Sequence, residues 1–275
     1  MKGLWGGKLD IPGIISSLSG NNVVLLALTL STLAMLSTTL GGLPVLLMRG
    51  KEASDRSFSL LVDLGLGFSS GVMVVASFTS LIIPAIDRFG LIEPLFGLII
   101  GALTVHLVNS AIPHEHLIKG YEGPSQAAKK LKAAWLVALA IIIHNLPEGL
   151  SIGVASAFGM RDAVALGLAI AIQDAPEGLA VALPVYATSR RVARALFYAW
   201  LSGFSEVILA VAAASLTSLS APLLPTAMGF GAGAMIYVVS HEALPETHRS
   251  GHENKATLSF FAGFVIMLIL DTMLS

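Results

Sequence analysis

Apolar residues run through this chain in blocks of about 20, separated by short polar stretches that hold most of its charge. About 20 helical residues at 1.5 Å each cross the roughly 30 Å hydrocarbon core of a bilayer. The pattern therefore predicts eight transmembrane helices, at 23–48, 58–86, 92–112, 133–157, 162–187, 193–216, 222–245 and 257–273. Gly and Pro are scattered through these spans, as membrane helices allow where neighbours satisfy the freed backbone groups. Residues 1–22, with Lys2, Trp5, Lys8 and a break at Pro12 and Gly13, have too weak an apolar run for a signal peptide and read as a short extracytoplasmic interfacial segment. The expected fold class is an all-α polytopic membrane protein, with residues 1–275 forming a single transmembrane domain.

Composition agrees: 55% of residues are hydrophobic and only 12% charged, which excludes an ordinary soluble domain. The net charge of −1 says nothing about partners, but the distribution of charge does. Of the 16 Lys and Arg, only Lys2, Lys8, Arg88 and Arg161 fall in alternate segments starting with the N-terminus. The others occupy the opposite loops, so the positive-inside rule sets both termini outside the cytoplasm. The lipid bilayer is the expected environment, and nucleic acid is not an expected partner. Cysteine is absent, so any metal site must be built from nitrogen and oxygen.

Against this background one stretch is costly. IIIHNLPEGLSIG at 141–153 sets a histidine, an asparagine, a proline and a glutamate in the middle of span four, and IAIQDAPEGLAVA at 170–182 repeats it in span five with six of 13 positions identical. Consecutive spans run in opposite directions, and both cassettes lie near mid-span. An antiparallel pair with matched polar kinks is the local form of the inverted repeat by which secondary transporters build a midplane site. His144 and Glu148 share a helix face, as do Gln173 and Glu177. Asn145 and Asp174 lie about 100° further round. Pro147 and Pro176 are expected to loosen the helix turn before them, and Gly149 and Gly178 to admit a neighbouring helix closely. Span six adds Glu206, again near the middle.

Energetics decides what such a set is for. At about 2.5–3.5 kcal/mol per central charge, four unpaired carboxylates would cost roughly 10 kcal/mol. Spans four to six hold no central Lys or Arg to offset them. Bound cations, protons or water must do so. One imidazole with carboxylates and amides suits Zn²⁺ and related divalent ions, while the lack of thiolates makes Cu⁺ a poor candidate. Polar residues continue toward the cytoplasmic ends: span three closes with His106 and Asn109, followed by His114, Glu115 and His116, and span seven closes with His241 and Glu242, followed by Glu246, His248 and His252. This polar trail looks like a route inward.

An intramembrane metal-dependent hydrolase is the alternative from another class. HEALPETH at 241–248 matches the zincin pattern H-E-x-x-H only in its first two letters, and G-x-S-x-G and P-loop motifs are missing. A protein that moves a divalent cation is the better expectation, with no enzymatic activity.

HNLPEGLSIG on span four and QDAPEGLAVA on span five resemble the signature helices of the ZIP divalent metal transporters, in the Pro-Glu-Gly form of the prokaryotic GufA-like branch. The resemblance covers essentially the whole chain. It implies a plasma-membrane importer of Zn²⁺, with Cd²⁺, Fe²⁺ and Mn²⁺ as further cargo, and a binuclear site. One metal would be held by His144, Glu148, Gln173 and Glu177 with Met73 nearby. The second would be held by Asn145, Asp174 and Glu206, with Glu148 and Glu177 bridging. His241 and Glu242 would belong to the exit path. The resemblance also implies that spans one, four, five and six slide as a bundle against spans two, three, seven and eight. No resident cofactor is required, Zn²⁺ or Cd²⁺ is the ion expected at the site, and homodimer formation is left open.

Overall fold

A computed structural model describes residues 22–48, 56–112, 114–116, 120–122 and 133–274, together with Gly13, Ile15, Ser17, Ser19 and Gly20. Most of the expected N-terminal interfacial segment lies outside the described residues. The helices are α1 (Val23–Gly41, followed by a 3₁₀ turn at Leu43–Met48), α2 (Arg56–Ala76), α3 (Ile83–Phe89), α4 (Ile92–Ala111), α5 (Ala133–Phe158), α6 (Met160–Ser189), α7 (Val192–Leu219), α8 (Leu224–Val238), α9 (Leu244–Thr247) and α10 (Glu253–Leu274). Two π-helical segments join neighbours into longer rods, Ser77–Ile82 between α2 and α3 and Val239–Ala243 between α8 and α9.

Seven stretches of helix among the described residues are long and apolar enough to cross a membrane: Val23–Leu47, Ser59–Phe89, Ile92–Ala111, Met160–Ala187, Val192–Leu219, Ala221–Thr247 and Glu253–Met273. The protein is therefore a multi-pass membrane protein, and these spans match the hydropathy pattern to within a few residues. Helix α5 has 26 residues and lies where the pattern puts its fourth span. Large apolar side chains such as Leu47, Ile92, Leu107, Phe261 and Met273 face outward, as hydrocarbon permits. Two features depart from expectation. The loop after α4 contains a short antiparallel pair, His114–His116 with Gly120–Glu122, in which Glu115 is opposite Tyr121. Helices α5 and α6 remain α-helical through Pro147 and Pro176, and the irregular turns fall instead in the π segments of other spans.

The helices sort into two groups by contact. Helices α1, α5, α6 and α7 pack on one another, while α4 packs on α8 and α2 on α10. The groups meet where α2 touches α6 and α5 touches α8. Without a hydrophobic drive in lipid, close backbone approach has to supply the attraction. In the α4·α8 pair, a Cβ on Gly101 would lie 2.1 Å from the carbonyl oxygen of Phe230, and one on Gly233 would lie 2.0 Å from that of Leu98. The main apolar core, with Leu30, Met73, Ile152, Leu166 and Met235, lies between the two groups.

Candidate metal centre

Helices α5, α6 and α7 bring the predicted polar residues together. His144 lies with Glu148 and Glu177, and Glu148 lies also with Asp174 and Glu206; within each trio one ligand atom per residue falls within 4.8 Å of the others. Glu148, Gln173, Asp174 and Glu206 are almost completely buried, whereas 21% of the His144 side chain is exposed. The cluster thus has a sealed end at the carboxylates and an open end at the imidazole.

Spacing explains the geometry. The i,i+4 relation puts His144 and Glu148 on the α5 face that meets α6, and the same spacing aligns Gln173 with Glu177. Gln173 Nε2 donates to Glu148 Oε1 at 2.8 Å, linking the two cassettes directly. Asn145 Nδ2 donates to Glu206 Oε1 at 2.6 Å and to Ser202 Oγ at 2.9 Å, which ties α5 to α7. Thr38 Oγ1 of α1 donates to Asp174 Oδ2 at 3.3 Å. Ser69 Oγ of α2 donates to Glu177 Oε1. Each carboxylate keeps one oxygen engaged by the scaffold, and Glu148 Oε2, Asp174 Oδ1 and Glu206 Oε2 are left buried without a hydrogen-bond partner. Gln173 Oε1 is in the same condition.

Glu177 falls in the His144 trio, and Ser69 of α2 holds its Oε1. Glu242, expected on the exit path, stands beside the cluster: the π segment after α8 brings Glu242 Oε2 to 3.5 Å from His144 Nδ1, and Asn109 Nδ2 of α4 donates to Glu242 Oε1 at 2.6 Å. Met73 is fully buried in the apolar core. His241 is exposed, its ring 5.2 Å from that of Tyr237, whose hydroxyl lies 2.9 Å from His106 Nδ1. His248 turns back on its own helix end, with Nδ1 2.9 Å from the carbonyl oxygen of Leu244, and His252 pairs with the buried Asp63 at 2.8 Å. The side chains of His114 and His116 lie outside the described residues.

Sequence reasoning missed the hydroxyls. Ser202 had a signal, since it lies four residues before Glu206 on the same face of α7. Thr38 and Ser69 had none, because a hydroxyl in an apolar helix usually bonds back to its own turn, as Ser77 does to the carbonyl of Met73.

Comparison with known proteins fits this arrangement of paired cassettes. The family model described as "ZIP Zinc transporter" matches residues 109–271. Bordetella bronchiseptica zinc transporter ZIPB is 41% identical, over 97% of this chain and 87% of its own length. The chain belongs to the ZIP zinc transporter family. Myxococcus xanthus zinc transporter GufA is 36% identical over 89% of this chain and 97% of its own length, which agrees with the GufA-like branch of the ZIP family. Human zinc transporter ZIP11 is 30% identical over 77% of this chain and 88% of its own length.

Proposed function

We propose that this ZIP protein carries Zn²⁺ into the cytoplasm through the cluster between α5, α6 and α7. The observation that carries this reading is the set of four buried oxygens without partners, on Glu148, Gln173, Asp174 and Glu206. Such atoms are expensive in a dry interior, and a divalent cation coordinated by them removes the cost. Imidazole nitrogen and carboxylate oxygen are the donors Zn²⁺ prefers, and the same donors accept Cd²⁺, Fe²⁺ and Mn²⁺ less selectively. One cation is held by His144, Glu148, Gln173 and Glu177 with Met73 beside it, and a second by Asn145, Asp174 and Glu206, with Glu148 shared. Because the imidazole end is the open one and Glu242 stands there, the ion leaves past Glu242 and His241.

Helix α5 crosses the membrane as the fourth span and brings the total to eight, both termini lie outside the cytoplasm, and the membrane is the plasma membrane. The two helix groups supply a natural division for transport. Sliding of α1, α5, α6 and α7 against α2, α4, α8 and α10 would expose the cluster to one side and then the other, with Pro147 and Pro176 as the points where α5 and α6 give. The relatives' names and the family favour a transporter over the hydrolase alternative.

The test is Zn²⁺ uptake into proteoliposomes. The double variant His144→Ala with Glu177→Ala removes two donors from the open end and is expected to take up Zn²⁺ at least about tenfold more slowly than wild type, given that even supporting residues around a metal are worth 10–100-fold. Equal uptake by the two proteins would refute the site. Asn109→Ala is expected to slow uptake about tenfold while leaving Zn²⁺ affinity of the sealed end unchanged, since Asn109 holds Glu242 and touches none of the other donors. Unaltered uptake would remove Glu242 from the path.

A further inference from the structure

Away from the cation cluster, a cavity of about 320 Å³ lies between the two helix groups, lined by Leu150 and Val154 of α5, Ala213 and Leu216 of α7, and Ala227 and Phe230 of α8. Its volume is about twice the 150 Å³ that accommodates a benzene ring in an engineered apolar cavity. The lining offers almost no hydrogen-bonding surface. Thr217 and Thr226 are its two hydroxyl residues; Thr217 Oγ1 already donates to the carbonyl of Ala213 at 2.7 Å, and the two together present almost no polar surface to the cavity. Water needs two to four polar partners and the lining does not supply them, so hydration is not a stable filling.

Helix geometry fixes the depth. Leu150 and Val154 are two and six residues beyond Glu148, or about 3 and 9 Å along α5. Ala213 and Thr217 are seven and eleven residues beyond Glu206, or about 10 and 16 Å along α7. The cavity thus begins just past the level of the carboxylates and fills the depth of one leaflet, whose hydrocarbon is about 15 Å thick. Val154, Ala213 and Thr217 form its buried back, while Leu216 and Leu223 are exposed at its mouth on two membrane-spanning segments. The mouth therefore opens on hydrocarbon.

We propose that this cavity binds one acyl chain of a bilayer lipid, seated between α5 and α7 on one side and α8 on the other. An extended methylene chain matches the apolar lining, the opening toward hydrocarbon and the depth. Its position makes it a wedge between the two helix groups, so chain length and occupancy set their spacing. The proposal rests on the helices spanning a bilayer and is independent of the cation reading.

The experiment reads binding without requiring transport. The protein is reconstituted in phosphatidylcholine vesicles containing a phospholipid with a photoactivatable diazirine at mid-chain, irradiated, and mapped by peptide mass spectrometry. Label is expected at Val154 and Thr217, which lipid outside the cavity cannot reach, as well as on the outward face of α4 at Leu103 and Leu107. Ala213→Phe and, separately, Ala227→Leu obstruct the cavity and are expected to reduce label at Val154 and Thr217 sharply while leaving α4 labelled; melting curves verify that each variant is folded. Absence of label at the back of the wild-type cavity, or its persistence in both folded variants, would overturn the proposal. So would efficient cross-linking between two copies through Leu216→Cys without lipid label at Val154, which would show a second copy covering the mouth.

Discussion

Glu148→Gln is expected to abolish Zn²⁺ uptake and, without metal, to raise the melting temperature. Glu148 is completely buried, accepts one hydrogen bond from Gln173 on Oε1 and has no partner on Oε2. Carboxylate oxygens of Asp174 and Glu206 lie within 4.8 Å of it. Three acidic groups this close in a dry setting oppose one another, and glutamine removes one charge while keeping the shape and the bond from Gln173. Relief of about 1 kcal/mol, which is modest beside the 2.5–3.5 kcal/mol cost of a central charge, corresponds to a rise of roughly 2–4 °C. With Zn²⁺ the order reverses. A ligand at 100 times its dissociation constant stabilises by about 2.7 kcal/mol, and the variant, lacking the shared donor, forfeits most of that. Melting curves with and without Zn²⁺, alongside uptake, measure both effects. A variant that melts lower without metal yet keeps its Zn²⁺-dependent rise would make Glu148 a structural brace.

This opposition between stability and function is what made the site legible. His144, Asn145, Glu148, Gln173, Asp174, Glu177 and Glu206 stand out in sequence because each contradicts the apolar span around it, and the repeated Pro-Glu-Gly places two such contradictions at matching depths. The spans were legible for the complementary reason, since hydrocarbon thickness imposes a length. Glu242 was legible as part of the inner polar trail, but its pairing with His144 was not, because that contact is set by where the segment after α8 meets α5, and no pattern within one span encodes a crossing. The π segments escaped for a different reason. Each ends two residues before a proline, Pro84 after Ser77–Ile82 and Pro245 after Val239–Ala243, so proline was a signal there as well as at 147 and 176, and which prolines a bilayer helix absorbs depends on neighbours that satisfy the freed groups.

Gly178→Ala is expected to be as damaging to uptake as loss of a ligand, although it touches no metal donor. A Cβ at Gly178 would lie 1.8 Å from the carbonyl oxygen of Thr38, where ordinary contact needs about 3.5 Å. That oxygen belongs to the α1 backbone and has no rotamer by which to withdraw, so α1 and α6 must separate. Overpacking of this kind costs about 1–3 kcal/mol and sometimes more. The displacement reaches the site at once, because Thr38 also holds Asp174 through its hydroxyl, and Asp174 lies one helical turn from Gly178 on the same face. Gly41→Ala should act likewise, since its Cβ would fall 1.9 Å from the carbonyl oxygen of Ala175. Gly42→Ala is the control: its Cβ would meet only side-chain carbons of Ala182, Ala199 and Leu196 at 3.2–3.3 Å. The expected order in both melting temperature and Zn²⁺ uptake is therefore wild type, then Gly42→Ala, then Gly41→Ala and Gly178→Ala, with the last two slower by at least about tenfold. If Gly178→Ala melts low but transports normally once folded, the close approach of α1 serves folding alone and Thr38 has no part in holding Asp174.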